Sequence, residues 1–256
     1  MEWFWSTYIF AAGLVLGSFY NVVGLRLAAG ESIVSPRSAC PECGRTLSPA
    51  QLIPVLSYVW QRGRCAGCGT RISPLYPAME LVTGMLFFYA YWALGFSAEL
   101  VTALLFISLL VICTVSDLYK KLILNNVLLF FLVPLLLLRL TTAPLSPWWD
   151  ALIGSAAGFL LLLFIAWASR GGMGGGDIKL YGVIGLVLGT VPTLLSLFLA
   201  ALCGLLFAAF GIVKNGWNRK TEVPFGPFIA LGALLSYFFA EDLLTGYWML
   251  IALFLS

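Results

Sequence analysis

Apolar runs of about 20 residues, the length that crosses a hydrocarbon core of roughly 30 Å, recur along the chain from its first residues to its last. Eight such spans are expected, at 3–25, 78–96, 98–116, 122–140, 149–168, 178–191, 192–213 and 226–240. The spans at 178 and 226 are short, and the stretch from Leu243 to Ser256 reads equally as a ninth span, a re-entrant piece or an interfacial helix. One long polar stretch breaks the pattern, Ala28 to Pro77, rich in Pro, Ser and Gly and without an apolar run long enough to cross. The expected fold is therefore an all-α polytopic membrane protein of about eight transmembrane helices, with a small extramembrane domain between helices 1 and 2. Its divisions are 1–27 (first helix), 28–77 (polar domain) and 78–256 (remaining membrane domain). The first run, Trp3 to Leu25, has no basic residue before it and no small-residue cleavage pattern, so it reads as a retained span.

Composition agrees: of 256 residues 61% are hydrophobic and 10% charged, with a mean hydropathy of +1.00, outside the range of soluble domains. Charge adds orientation, because short loops rich in Lys and Arg stay in the cytoplasm. Arg26, Arg37, Arg45, Arg62, Arg64 and Arg71 lie in or beside the first loop. With eight spans, Lys120 and Lys121, then Arg170 and Lys179, then Lys214, Arg219 and Lys220 fall on the same side, which is read as cytoplasmic. Arg139 alone is basic near the other face. The net charge of +3 comes with no basic stripe, which excludes a nucleic-acid partner.

Histidine is absent, which removes Ser-His and Cys-His catalysis, histidine-ligated metals and histidine proton shuttles. Of four aspartates, Asp150 and Asp242 map to outer loops, while Asp117 closes one span and Asp177 opens another, both on the cytoplasmic side. Taken singly, each is as well read as a solvated loop acid. As a pair brought close, they cannot both ionise easily, so one holds a proton while the other acts as base toward water. That suffices for peptide hydrolysis.

Asp177 is approached through Gly171-Gly172-Met173-Gly174-Gly175-Gly176, five glycines in six residues. Such a run is not expected to sustain a helix, and it lets the backbone pass close to another segment. Irregular backbone at membrane depth survives only where protein buries it or water fills a cavity. An extended substrate could lie there. A plain flexible connector is the competing reading of the glycines; the acid at a helix start, where the dipole is positive, favours function.

Cys40-Pro41-Glu42-Cys43-Gly44 and Cys65-Ala66-Gly67-Cys68-Gly69 are two C-x-x-C knuckles separated by 21 residues. The spacing fits a tetrahedral four-thiolate zinc site. Disulfides are the alternative, and a reducing cytoplasm argues against them. Four cysteines leave no open position for water, so the metal is expected to be structural. Cys113 and Cys203 lie within spans and read as small apolar residues.

These features together resemble the prepilin peptidase family, membrane aspartyl proteases of the GxGD type that process type IV prepilins and type II secretion pseudopilins. Gly17-Ser18-Phe19-Tyr20-Asn21-Val22-Val23 with Arg26 is similar to the family's opening segment, and Ser35-Pro36-Arg37-Ser38-Ala39-Cys40 to the entry into its tetracysteine domain. Ile72-Ser73-Pro74-Leu75-Tyr76-Pro77-Ala78-Met79-Glu80, Asp117 with Asn125, Gly174-Gly175-Gly176-Asp177-Ile178-Lys179 and Pro224-Phe225-Gly226-Pro227-Phe228 resemble its later motifs. The chain departs from the pattern at Lys121 to Asn126, which lacks the usual Pro, and at Leu75, where Arg is common.

The resemblance implies a catalytic dyad of Asp117 and Asp177 with Gly174 and Gly176 as active-site loop positions, and a substrate with a short basic leader, Gly at the cut and an apolar helix behind it, arriving from the membrane. It also implies N-methylation of the new terminus from S-adenosylmethionine, whose binding residues the sequence leaves unknown, and a bacterial cytoplasmic-membrane location. Glu80 is a candidate contact for substrate or product amine, or an interfacial acid capping the second span. A transporter would put its acids near the midplane and show repeats, a zinc-bearing scaffold leaves the glycine-flanked pair unexplained, and a methyltransferase alone would survive loss of either aspartate.

Overall fold

A computed structural model describes residues 2–170, 172–215 and 223–255. Four residues named above, Gly171, Arg219, Lys220 and Ser256, lie outside them. Nine α-helices are present among the described residues: α1 (Glu2–Ala29), α2 (Leu56–Trp60), α3 (Leu75–Leu94), α4 (Ala98–Lys120), α5 (Asn125–Leu140), α6 (Asp150–Ala168), α7 (Gly175–Leu188), α8 (Thr190–Asn215) and α9 (Gly226–Leu255). Apart from α2, each corresponds to one expected span. Five are long and apolar enough to cross a membrane, namely α1, α4, α6, α8 and α9. The chain is a multi-pass membrane protein. The stretch after Leu243, open on sequence alone, continues α9 without a break to Leu255.

The described chain forms two compact units, Met1–Val127 and Leu128–Ser256. In the first, α1 packs on α3 and α4 through small residues. A Cβ added at Gly13 would stand 2.8 Å from the Gly84 Cα, and one at Gly17 would meet Thr83 at 2.9 Å and the Glu80 Cα at 3.0 Å. Gly24 faces Val115 at 2.7 Å in the same sense. Without a hydrophobic force between helices in lipid, close backbone approach over small residues is what holds them. The Tyr20 hydroxyl and Ser108 Oγ share a 2.7 Å hydrogen bond across α1 and α4. Every residue of α4 from Phe106 to Asp117 is buried.

In the second unit α6 and α7 touch backbone to backbone. A Cβ at Gly154 would collide with Gly185 O and Gly189, and one at Gly185 would collide with Gly154 O. On α9, Gly232 faces Ser196 O and Ala200 N of α8, and the Phe228 ring lies 5.3 Å from that of Phe207. Gly185→Ala is therefore expected to cost about 1–3 kcal/mol or more and to lower the thermal midpoint in detergent by several degrees. Gly246→Ala is the control: that α9 glycine has no atom within 4 Å of the added Cβ, so the midpoint should hold or rise slightly.

Arg139, the one basic residue that the pattern put near the opposite face, is 2% exposed. Its Nη1 donates to Ala143 O at 2.9 Å, in the turn just past the end of α5 at Leu140, so the buried guanidinium folds onto the backbone that follows its own helix.

Candidate active site and metal centre

Asp117 sits in the last turn of α4, 6% exposed. The helix ends cleanly without a proline: Lys121 takes the left-handed conformation (φ 53°, ψ 44°) and its N–H bonds Asp117 O at 2.8 Å. A left-handed residue after the final turn is a common helix stop. Asn125 then opens α5.

Asp177 is in the first turn of α7, partly exposed. The helix begins at Gly175, two residues before Asp177, so the expectation that the glycine run sustains no helix fails at Gly175 and Gly176; the irregular approach ends at Gly174. Packing of α7 against α6 outweighs the helix cost of two glycines, which is only about 1 kcal/mol each. Gly174 is the N-terminal boundary residue, extended at φ −68° and ψ 136°, and Asp177 N bonds its carbonyl at 3.1 Å. A Cβ at 174 would lie 3.3 Å from Asp177 Oδ2. The missing side chain at 174 thus leaves the carboxylate room to turn. Asp117 belongs to the first unit and Asp177 to the second.

The four cysteines do come together. The sulfurs of Cys40, Cys43, Cys65 and Cys68 all lie within 4.8 Å of one another, and Cys40 Sγ is 3.8 Å from Cys68 Sγ. A tetrahedral thiolate site with metal–sulfur bonds of about 2.3 Å has an edge of about 3.8 Å, whereas a disulfide needs about 2.05 Å. All are free thiols. The two knuckles are built alike. Cys40 N bonds Arg45 O and Gly44 N bonds Cys40 O, both at 3.0 Å; Cys65 N bonds Thr70 O at 2.8 Å and Gly69 N bonds Cys65 O at 2.9 Å. Gly44 and Gly69 take φ of 68° and 74°, a conformation that glycine adopts without strain. Backbone N–H groups of Cys68 and Gly67 bring the Cys65 thiol down to about 6. Cys43 is held down by Arg45 N–H, but the Cys68 thiol, partial desolvation and the other two thiols outweigh it and push it up to about 11. The donor set fits a single soft divalent ion.

Other roles escaped the sequence. Asp150, set aside as an outer-loop acid, accepts from Thr190 Oγ1 at 2.6 Å and from Thr190 N at 3.2 Å, capping α8 from the start of α6. The first-turn position of Thr190 after Gly189 was a usable signal, but its partner is 40 residues away. Asn21, 2% exposed, donates to Tyr76 O at 3.1 Å and so joins α1 to the start of α3. Glu80 Oε2 accepts Val55 N–H at 2.7 Å, so its carboxylate ties the polar segment to α3.

A multi-pass helical membrane protein with a tetracysteine cluster after its first helix and aspartates at two helix termini is the class that fold and site define. Comparison with known proteins narrows it. Residues 11–94 match the Bacterial Peptidase A24 N-terminal domain, and residues 104–209 match the Type IV leader peptidase family. The chain is 46% identical over 239 residues to a prepilin leader peptidase/N-methyltransferase of Bacillus subtilis (strain 168), covering 93% of this chain and 96% of that one. It is 30% identical over 277 residues to a protein of the same name from Aeromonas salmonicida (strain A449), covering 96% and 95%. A Klebsiella pneumoniae protein of that name is 35% identical over 196 residues, 72% of this chain and 86% of its own. No solved structure matches. The chain belongs to the type IV leader peptidase family.

Proposed function

We propose that this chain removes the leader peptides of type IV prepilins or pseudopilins at the cytoplasmic face of the bacterial inner membrane, using Asp117 and Asp177, and then methylates the new N-terminus from S-adenosylmethionine. The observation that carries the reading is the placement of two aspartates at helix termini of opposite polarity, one of them behind a glycine approach, in a chain of the leader peptidase family.

The helix dipole favours negative charge at the N-terminus of α7 and disfavours it at the C-terminus of α4. We therefore assign Asp177 as the carboxylate that takes a proton from the attacking water, and Asp117 as the acid that donates to the scissile carbonyl oxygen. As the tetrahedral intermediate collapses, a proton passes to the leaving amine and the C–N bond breaks. Gly174, lacking a side chain beside Asp177 Oδ2, and Gly176 leave room for an extended substrate backbone. In this reading residues 28–77 are a cytoplasmic module and 1–27 and 78–256 its membrane anchor and protease. The module's four cysteines hold zinc as a structural ion, which supplies folding energy when bound.

The names of the relatives and the basic residues clustered beside the first polar segment, Arg26, Arg37, Arg45, Arg62, Arg64 and Arg71, support the substrate and the orientation. The test is to incubate the purified full chain with a prepilin, with and without S-adenosylmethionine, and weigh the product. Loss of the leader mass in both reactions, with one methyl added only when the donor is present, is expected. An unprocessed prepilin would remove the proteolytic reading, and an unmethylated product the second activity.

A further inference from the structure

Between Leu52 and Trp60 the extramembrane segment presents a row of uncovered apolar side chains. Leu52 is 42% exposed, Ile53 38%, Leu56 53%, Val59 63% and Trp60 69%. Exposed arginines, Arg62 and Arg64, follow directly. In a water-solvated domain such a patch is a liability, so the height at which it is held above the membrane decides its meaning.

That height can be read from three contacts within the first unit. At one end of the α1–α3 pair the rings of Trp5 and Phe96 lie 5.2 Å apart; at the other, Asn21 holds Tyr76 O. α1 is long and apolar enough to cross a membrane, and the roughly 20 residues that cross a hydrocarbon core, counted from Trp5, end about one helical turn past Asn21, so Leu75 and Tyr76, which Asn21 holds, lie close to the boundary. Glu80 lies five residues inward, about 7 Å, and helical side chains lean back toward the N-terminus. Its carboxylate therefore reaches the level of the boundary, where it accepts Val55 N–H at 2.7 Å. Val55 stands directly before α2, at φ 60° and ψ −51°, a conformation costly for a β-branched residue. The chain holds this strained turn, and the result is that α2 starts at the boundary with Leu56, Val59 and Trp60 uncovered.

We propose that Leu52 to Trp60 is a membrane-docking surface: its apolar side chains enter the acyl boundary of the leaflet at the C-terminal end of α1, and Arg62 and Arg64 meet anionic phospholipid headgroups. Tryptophan at that depth and arginine just outside it follow the usual partition of these side chains at an interface. The contact fixes the tetracysteine cluster, whose Cys65 is five residues beyond Trp60, close to the membrane plane. Glu80 acts as a positioning residue for this surface.

A photo-reactive benzophenone side chain in place of Val59 or Trp60, with Glu42 at the exposed tip of the first knuckle as control, tests this on the full chain in nanodiscs. Phospholipid adducts at 59 and 60 in about tenfold excess over position 42 are expected from insertion of the apolar face. The yield should rise when phosphatidylglycerol replaces phosphatidylcholine, and Arg62→Gln with Arg64→Gln should remove that rise. Equal lipid yields at all three positions, or crosslinks to a second copy of the chain or to added prepilin in place of lipid, would overturn the proposal. A yield indifferent to headgroup charge would overturn the role of the arginines.

Discussion

Asp117→Asn and Asp177→Asn are each expected to lower kcat/KM for leader cleavage by about a thousandfold or more. Asparagine keeps the shape of the side chain but neither gives up nor takes a proton under working conditions. Removing either carboxylate leaves water activation or carbonyl protonation without its agent. Because the two act as a unit, the double variant should be no worse than the poorer single one. Asp150→Asn separates chemistry from fold: Asp150 caps α8 through Thr190, so its loss should cost stability, about 1 kcal/mol, while cleavage per folded molecule persists. A precut prepilin offered with S-adenosylmethionine gives a second control, since methylation by the Asn variants would show that they still fold and bind. Either single variant keeping about a tenth of wild-type cleavage would be incompatible with a dyad mechanism.

The sequence spoke most clearly where a local pattern had only one physical solution. Runs of apolar residues too long for a soluble core gave each of the eight long helices, and the paired knuckles gave the cluster of Cys40, Cys43, Cys65 and Cys68. Helix ends were less legible. Gly175 and Gly176 read as helix breakers, yet α7 starts there, because the intimate α6–α7 contact at Gly154 and Gly185 is a long-range term that no local propensity contains. Lys121 was equally opaque, since a lysine in the left-handed region carries no sequence mark. The partners of Asp150, Asn21 and Glu80 are 40, 55 and 25 residues away; pattern alone could flag these polar residues but not pair them.

Stripping metal from the tetracysteine site should unfold residues 30–74, α2 included, and spare the eight long helices. Within that stretch only Cys40 and Cys65 are buried, so the segment has no hydrophobic core and a bound ion would take its place. Thiolate sites of this kind contribute about 10–16 kcal/mol of metal-coupled folding energy, far more than the few isolated backbone bonds of the knuckles. Elemental analysis of the purified chain is expected to find one zinc per molecule, and Cys40→Ser or Cys68→Ser to lower that content sharply. After chelation, limited proteolysis should cut between 30 and 74 while the fragments that hold α1 and α3 to α9 stay resistant; retained resistance of the segment would refute a structural metal. The kind of role is decided by exchange. Cadmium also accepts four thiolates and should restore both protease resistance and leader cleavage, because a closed four-cysteine shell offers no position for water and, in the proposed mechanism, leaves hydrolysis to Asp117 and Asp177. Resistance restored without cleavage would instead assign the ion a part in the chemistry.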